Sequence, residues 1–500
     1  MPRVRTAALA AAILGILLAV LAVWAAGPWK DGYRVAERHG DKSGGVQSAV
    51  GADGSGNGGT AAGERRITPP VLLPVGVDPA GPAPTDAGVK AILDPLLADK
   101  SLGGSTAVSV VDAVTGQPLY GVGADRGATP ASTTKIVTAV AALSALPPDM
   151  RLTTRVVMGA DPGTIVLVGG GDPTLTALDG TQYAGSYAPA RLDQLAEATA
   201  AALRAAGVTS LKLAYDNSLY SGTAQHPIGP NENIALVVPL TTDEGRVDGK
   251  IAEGPGKRVA DPSAKAAQQF AQLLARQGIA VNGTPAAGNA PPTGAAGAPT
   301  APGTQLAAVQ SPPVPEFVEQ MMTASDNDMA EALLRHIAVA KGKPASFEGG
   351  EQAVREVLTG LGVNLGALDL NDGSGLDNQN KMPPAVLTQT ITLAASPARP
   401  ELRPTLTGMP IAGFTGTLKD RFDDRGSLAG AGLVRAKTGS LTNVSTLAGL
   451  VRDKDGRLLA FAFLADGVKG APDVARPALD SLATALAGCG CGTPVVAAAG

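Results

Sequence analysis

The chain has 500 residues, room for two to four domains and for at least one core that folds without disulfides or metals. A net charge of −4 with no long basic run leaves no electrostatic footprint for nucleic acid and excludes that partner class. Aromatics at 3% against 64 Gly and 39 Pro imply small-residue packing, many turns and some unstructured linker.

At the N-terminus, Arg3 and Arg5 precede an uncharged apolar run over residues 7–26. This is the pattern of an export signal. Its length suits either a cleaved leader or a membrane anchor over 1–27, and the two arginines direct the rest of the chain to the far side of the membrane. Residues 28–88 are rich in Gly, Ser, Ala and Pro and read as a flexible tether. Folded structure is expected from residue 89, with a helix over 89–98, then a hairpin of apolar runs at 107–111 and 119–122. After Pro130 the spacing of Ile136, Val137, Val140, Ala141 and Leu143 predicts a helix with Ser132 and Lys135 in its first turns.

Residues 151–303 form an expected insertion, with strands at 164–168 and 210–214, a helix at 190–206 and a Pro/Ala/Gly spacer at 288–303. A further helix opens at Ser325-Asp326-Asn327. Its apolar side carries Met329, Leu333, Leu334 and Ile337. Runs at 445–451 and 457–464, joined by Asp453-Lys454-Asp455-Gly456, signal a second hairpin, followed by a helix over 472–486. The expected fold is α+β: an antiparallel sheet closed by the two distant ends of residues 89–150 and 304–488 and flanked by helices. Residues 489–500 are a tail, whose Cys489 and Cys491 read as two thiols or a local bridge.

Ser132-Thr133-Thr134-Lys135 places a hydroxyl and an amine at i and i+3, on one helical face, where the amine can act as base to the hydroxyl. That requires the lysine to be neutral near physiological pH, through burial or a nearby second cation, for which Lys437 is the candidate. A Ser-x-x-Lys in a chain this long is expected on the order of once by chance. The weight comes from two further elements in order, Ser325-Asp326-Asn327 and Lys437-Thr438-Gly439-Ser440. Read singly, each has a plain alternative: Ser325 as a helix N-cap, Lys437 as an exposed strand charge. Metal hydrolysis finds no His-Glu-x-x-His, and His336 reads as a structural helix residue.

Together with Gly169-Gly170-Gly171-Asp172-Pro173, Gly245-Arg246-Val247-Asp248, Ser311-Pro312-Pro313, Asp372-Gly373-Ser374-Gly375-Leu376 and residues 412–418, the trio resembles the penicillin-binding D-alanyl-D-alanine carboxypeptidase/endopeptidases of peptidase family S13. About 190 residues separate Lys135 from Ser325, similar to the long insertion of that family. The resemblance implies a serine β-lactamase/penicillin-binding-protein fold that trims peptidoglycan stem peptides through an acyl-enzyme. It implies Ser132 as nucleophile, Lys135 as base, Ser325 as proton relay, Asn327 as a holder of the substrate amide, and Lys437 with Thr438, Gly439 and Ser440 around the terminal carboxylate and oxyanion. Penicillins would acylate the same serine. No metal or organic cofactor is implied, and the membrane is a partner only if the N-terminal segment is retained. Asp372 and Ser374 are candidate cleft residues. Glu232 is the nearest acid to a position that can hold one in relatives acting on diaminopimelate-type stems. A β-lactamase, or a weakly catalytic scaffold binding muropeptides, remains an alternative at this point.

Overall fold

The computed structural model describes residues 81–179, 188–251, 253–292 and 300–490. The export segment 1–27, nearly all of the tether 28–88, and Cys491 lie outside the described residues. Cys489 is disulfide-bonded. No helix among the described residues is long and apolar enough to cross a membrane.

Helix α1 (Asp86–Leu97) starts where the Thr85 hydroxyl accepts the Gly88 N–H, and it buries Val89 and Leu93, one turn apart. Strands β1 (Ser105–Asp112) and β2 (Pro118–Val122) form the expected hairpin. A single 3-10 turn, Ala131–Thr134, then runs into α2 (Lys135–Ala145), of which all but Ser144 and Ala145 are buried. A helix buried on every side is a central packing element, so its first residues are held as rigidly as any in the molecule.

The inserted region builds its own sheet from β3 (Arg151–Met158), β4 (Thr164–Val168), β5 (Ser210–Asp216) and the short β6 (Ala280–Val281) and β7 (Ala286–Ala287). Its edge strand β8 (Gln305–Pro313) follows the spacer, and the order is β6-β5-β4-β3-β8, with β7 also on β5. Helix α3 (Leu192–Ala205) buries Leu192, Leu195, Ala196, Thr199, Ala200 and Leu203, an apolar stripe at 3.6-residue spacing. That stripe meets Phe270 of α4 (Pro262–Arg276) in a separate core.

Helices α5 (Val314–Ala324), α6 (Asn327–Ala340), α7 (Phe347–Gly360) and α8 (Pro384–Ala395) surround α2. The chain ends in β9 (Val434–Leu441), β10 (Val444–Arg452), β11 (Leu458–Asp466) and α9 (Arg476–Ala487). The first sheet runs β2-β1-β11-β10-β9 and is antiparallel throughout. Strand β11 pairs with β1 from Ser105↔Asp466 to Asp112↔Leu459, so the two ends of the catalytic region close one sheet, as the α+β reading requires.

Burial explains the composition of the central strands. Phe461 and Phe463 face α1 and α9, whereas Ala460 and Ala462 on the opposite face admit the central helices at close range. Both faces are therefore dry. At the far end of this pairing, Arg457 and Asp112 form a buried ion pair at 2.5 Å.

Candidate active site

Ser132 and Lys135 lie in register because the segment that joins them is a 3-10 turn, in which residues i and i+3 eclipse. Lys135 Nζ is 3.1 Å from Ser132 Oγ, inside the range for proton transfer. Its other partners are Asn327 Oδ1 at 2.7 Å and the Ser374 carbonyl at 2.8 Å. Neither oxygen can donate. A neutral Lys135 amine must therefore aim both hydrogens at them, which turns its lone pair toward Ser132 Oγ. The expected nucleophile and base are thus brought together, and the orientation of the base is determined by two acceptors on other elements.

Ser325 is the left-handed residue that ends α5, at φ 61°, and Asp326 is the N-cap of α6, accepting the Met329 N–H at 2.8 Å. The plain alternative for Ser325, an N-cap, is thereby set aside. A non-glycine residue in this conformation costs on the order of 1 kcal/mol, a strain that persists only where the surroundings impose it. Here it turns the Ser325 hydroxyl toward Lys437 Nζ, at 2.7 Å. Lys437 also donates to the Thr438 carbonyl at 3.0 Å, and the Thr438 hydroxyl meets Thr417 Oγ1 at 2.7 Å.

Two cavities meet at Ser132, Ser325 and Ser440. One, of about 450 Å³, continues past Thr438 to Thr417, Asp420 and Arg476. The other, of about 210 Å³, is walled by Asn233, Arg246, Arg258 and Asn327. Gly439 lies apart from both. A Cβ there would fall 2.2 Å from Thr446 Oγ1 and 2.9 Å from the Pro130 carbonyl, so its glycine serves the close approach of β9 to the Ser132 turn.

Both lysines are fully buried. Burial is the largest influence on Lys135 and pulls it down to about 8 from 10.5, against the opposing pull of Asp372, Asp326, Glu331 and Asp328. About one molecule in ten then carries the neutral amine near pH 7, several-hundred-fold more than for a free lysine. Lys437 is pushed well below the lysine range by burial first and by the charge of Lys135 second. Burial is thus the main cause for both lysines, and the repulsion between two cations so placed disfavours charging both at once.

Several residues were misplaced or missed in the sequence. Asp372 and Ser374 do not line the cleft but lie fully buried beneath it, where the Ser374 carbonyl supports Lys135. Glu232 is exposed, and its neighbour Asn233 is the cleft residue, its carbonyl accepting from Asn327 Nδ2 at 3.0 Å. Backbone carbonyls carry no sequence signal, which is why the role of the Ser374 carbonyl and the place of Asn233 in the cleft were not legible there. His336 is buried on α6 edge-on to Tyr220, and burial pushes it down to about 4, consistent with a structural role.

Residues 89–247 and 228–486 match the model of the D-Ala-D-Ala carboxypeptidase 3 (S13) family. The carboxypeptidase Rv3627c of Mycobacterium tuberculosis is 39% identical over 404 residues, covering 79% of this chain and 83% of that protein. The D-alanyl-D-alanine carboxypeptidase of Actinomadura sp. R39 is 29% identical over 470 residues, covering 79% and 84%. The crystal structure of penicillin binding protein 4 from Haemophilus influenzae superposes with a TM-score of 0.61 at 22% identity, covering 79% of this chain and 97% of that one, which establishes the shared fold. The chain belongs to the S13 family of D-Ala-D-Ala carboxypeptidases.

Proposed function

We propose that this enzyme, a serine-type D-Ala-D-Ala carboxypeptidase, cleaves the terminal D-Ala-D-Ala bond of peptidoglycan stem peptides by acyl transfer to Ser132. The observation that carries the reading is the three-way hold on Lys135 Nζ, which leaves its lone pair one direction, toward Ser132 Oγ. As Oγ bonds to the penultimate carbonyl carbon, its proton passes to Lys135. The carbonyl oxygen becomes an oxyanion, received by the backbone N–H groups of Ser132 and Ser440. Ser325, linked to Lys437, relays the proton taken up by Lys135 to the nitrogen of the departing D-alanine as the C–N bond breaks, which leaves Lys135 neutral. Asn327 faces the substrate amide, while Lys437 and Thr438 hold the terminal carboxylate. With Lys135 neutral again, water gives it a proton as it attacks the ester, and Lys135 returns that proton to Ser132 Oγ as the acyl C–O bond breaks.

The fold relative from Haemophilus influenzae has been crystallised with a β-lactam, which supports acylation of Ser132 by penicillins. Stable labelling by a fluorescent penicillin, lost in Ser132→Ala, is the expected result. Rapid drug turnover would indicate a β-lactamase, and absence of labelling of the folded wild type would sink the enzyme reading.

A second activity has its own support. The cavity of about 450 Å³ on the leaving-group side is several times larger than D-alanine requires and offers Asp420 and Arg476 to a charged occupant. We infer that a crosslinked stem fits there and that the enzyme is also an endopeptidase. Mass spectrometry of products from monomeric and crosslinked muropeptides tests this, since cleavage of monomers alone would refute it. The substrate lies outside the cytoplasm, and Arg3, Arg5 and the apolar run 7–26 support export of the chain to meet it.

A further inference from the structure

Behind Lys135, on the side away from substrate, three ionisable side chains converge with no access to water. His226, from the inserted region, has Nε2 3.3 Å from Asp372 Oδ2 and 3.5 Å from Glu331 Oε1, and all three side chains are fully buried. The Ile228 N–H donates to Nδ1 of the neutral imidazole at 3.4 Å, so Nε2 carries a hydrogen in either charge state and lies within ion-pair distance of both carboxylates without a hydrogen bond to either. The mechanism above uses none of these groups.

The two carboxylates are not idle. Glu331 accepts the backbone N–H groups of Gly373 and Ser374 at 3.0 and 2.8 Å. Asp372 accepts those of Gly375 and Asp377, each at 2.6 Å, and the Asn380 amide at 2.9 Å. Between them they shape residues 372–377, the loop whose Ser374 carbonyl orients Lys135 and whose Gly373 carbonyl accepts from Thr138 on α2. The same carboxylates also act on Lys135 at a distance, with Asp372 first and Glu331 third among the charges that favour its ammonium form.

We propose that His226 is a positioning residue for Lys135, holding Glu331 and Asp372 in place beneath the 372–377 loop and offsetting their negative charge. Two buried carboxylates without a counter-charge would repel each other and favour the ammonium form of Lys135 more strongly. The pair pushes His226 up to about 9 although burial opposes it, so the imidazole carries the compensating charge across the working range. The remaining charged groups around Lys135 are Asp326 and Asp328 on α6 and Lys437 on β9. Around His226 they are completed by Arg335, which lies over the Phe347 ring that His226 meets edge-on. A residue of the inserted region thereby sets the pH at which the base becomes available.

This rests on Lys135 being the base, which Lys135→Met tests separately: retained acylation in that variant would end the underlying reading. The test of His226 itself is the pH profile of the second-order rate of penicillin acylation, in wild type, His226→Gln and His226→Gln/Glu331→Gln. Wild type should rise with a midpoint near pH 8. His226→Gln should move that midpoint up by about one unit, which lowers the rate near pH 7 about tenfold. Its plateau at high pH should be largely kept. Removing the uncompensated charge in the double variant should bring the midpoint back. An equal fractional loss at every pH, or a midpoint that stays in place, would overturn the proposal. So would loss of wild-type acylation on adding a chelator, because a metal ion would then occupy the role given to the imidazolium. If His226→Gln fails to fold, the midpoint of Glu331→Gln alone must fall below that of wild type.

Discussion

Lys437 offers a direct test of how the site recognises an anionic peptide terminus. It is fully buried, donates to Ser325 Oγ at 2.7 Å and to the Thr438 carbonyl at 3.0 Å, and is held well below the lysine range by burial and by Lys135. Both influences favour its neutral form before substrate binds. A carboxylate bound about 4 Å away interacts with an ammonium by about 4 kcal/mol at an effective dielectric constant of about 20. That corresponds to about three units of pKa in favour of the charged form. Binding of a peptide ending in D-Ala-D-Ala should thus draw a proton from solvent. The assay is calorimetric titration of Ser132→Ala protein at pH 8 in buffers of differing ionisation enthalpy. The slope of observed enthalpy against buffer enthalpy should approach one proton per site, and it should vanish when Lys437→Met is added. Affinity in that double variant should drop roughly tenfold to a hundredfold, the value of a hydrogen bond to a charged group. A slope near zero with Lys437 present, or a slope that survives its removal, would refute the reasoning.

Lys135 predicts a pH dependence of stability. Its folded value of about 8 lies below the unfolded 10.5, so between these two pH values the unfolded chain holds a proton that the folded chain lacks. Lys135 should therefore add about 3 kcal/mol of stability as pH rises across that window, and the rise seen by urea denaturation should be smaller by that amount in Lys135→Met, where of the two lysines only Lys437 still contributes. Gly375→Ala places a Cβ 1.9 Å from the Ala131 carbonyl at a φ of +82° and should cost about 2–6 kcal/mol from strain and overpacking together. Labelling by penicillin should collapse with it, and a variant that keeps both wild-type stability and labelling would show that the loop does not brace the Ser132 turn. Arg457→Met strands the buried Asp112 carboxylate and should cost about 3–5 kcal/mol in denaturant melts, whereas Arg457→Met/Asp112→Asn should regain most of it. A single-variant cost under about 1 kcal/mol would contradict this account.

The alternation of Val, Ala and Leu in 105–112 and 444–466 made the first sheet readable, because a strand that buries both faces between helix layers leaves an unbroken apolar run. Closure of one sheet by distant parts of the chain followed from the strands at each end, whereas the pairing of β1 with β11, more than 340 residues apart, is seen only in the structure. Within the site, Ser132 and Lys135 could be paired on paper because a helical or 3-10 turn relates i to i+3 by geometry alone. Ser325, Asn327 and Lys437 were recoverable as motifs, but not their arrangement: the left-handed turn at Ser325 is imposed by packing between α5 and α6 and has no glycine to announce it.

Sequence alone determined the family and pointed to the proposed reacting groups, since those depend on side-chain type and order along the chain. Tertiary structure decided the state of the groups. Whether Lys135 is neutral depends on burial and on carboxylates brought from α6 and from the 372–377 loop, and its orientation depends on carbonyls of residues with no chemical signature. The same holds for His226, which stands alone in an unremarkable stretch of sequence and meets Glu331 and Asp372 only after the inserted region has packed against α6. Electrostatic energy varies with distance and dielectric, and neither is written in the order of residues.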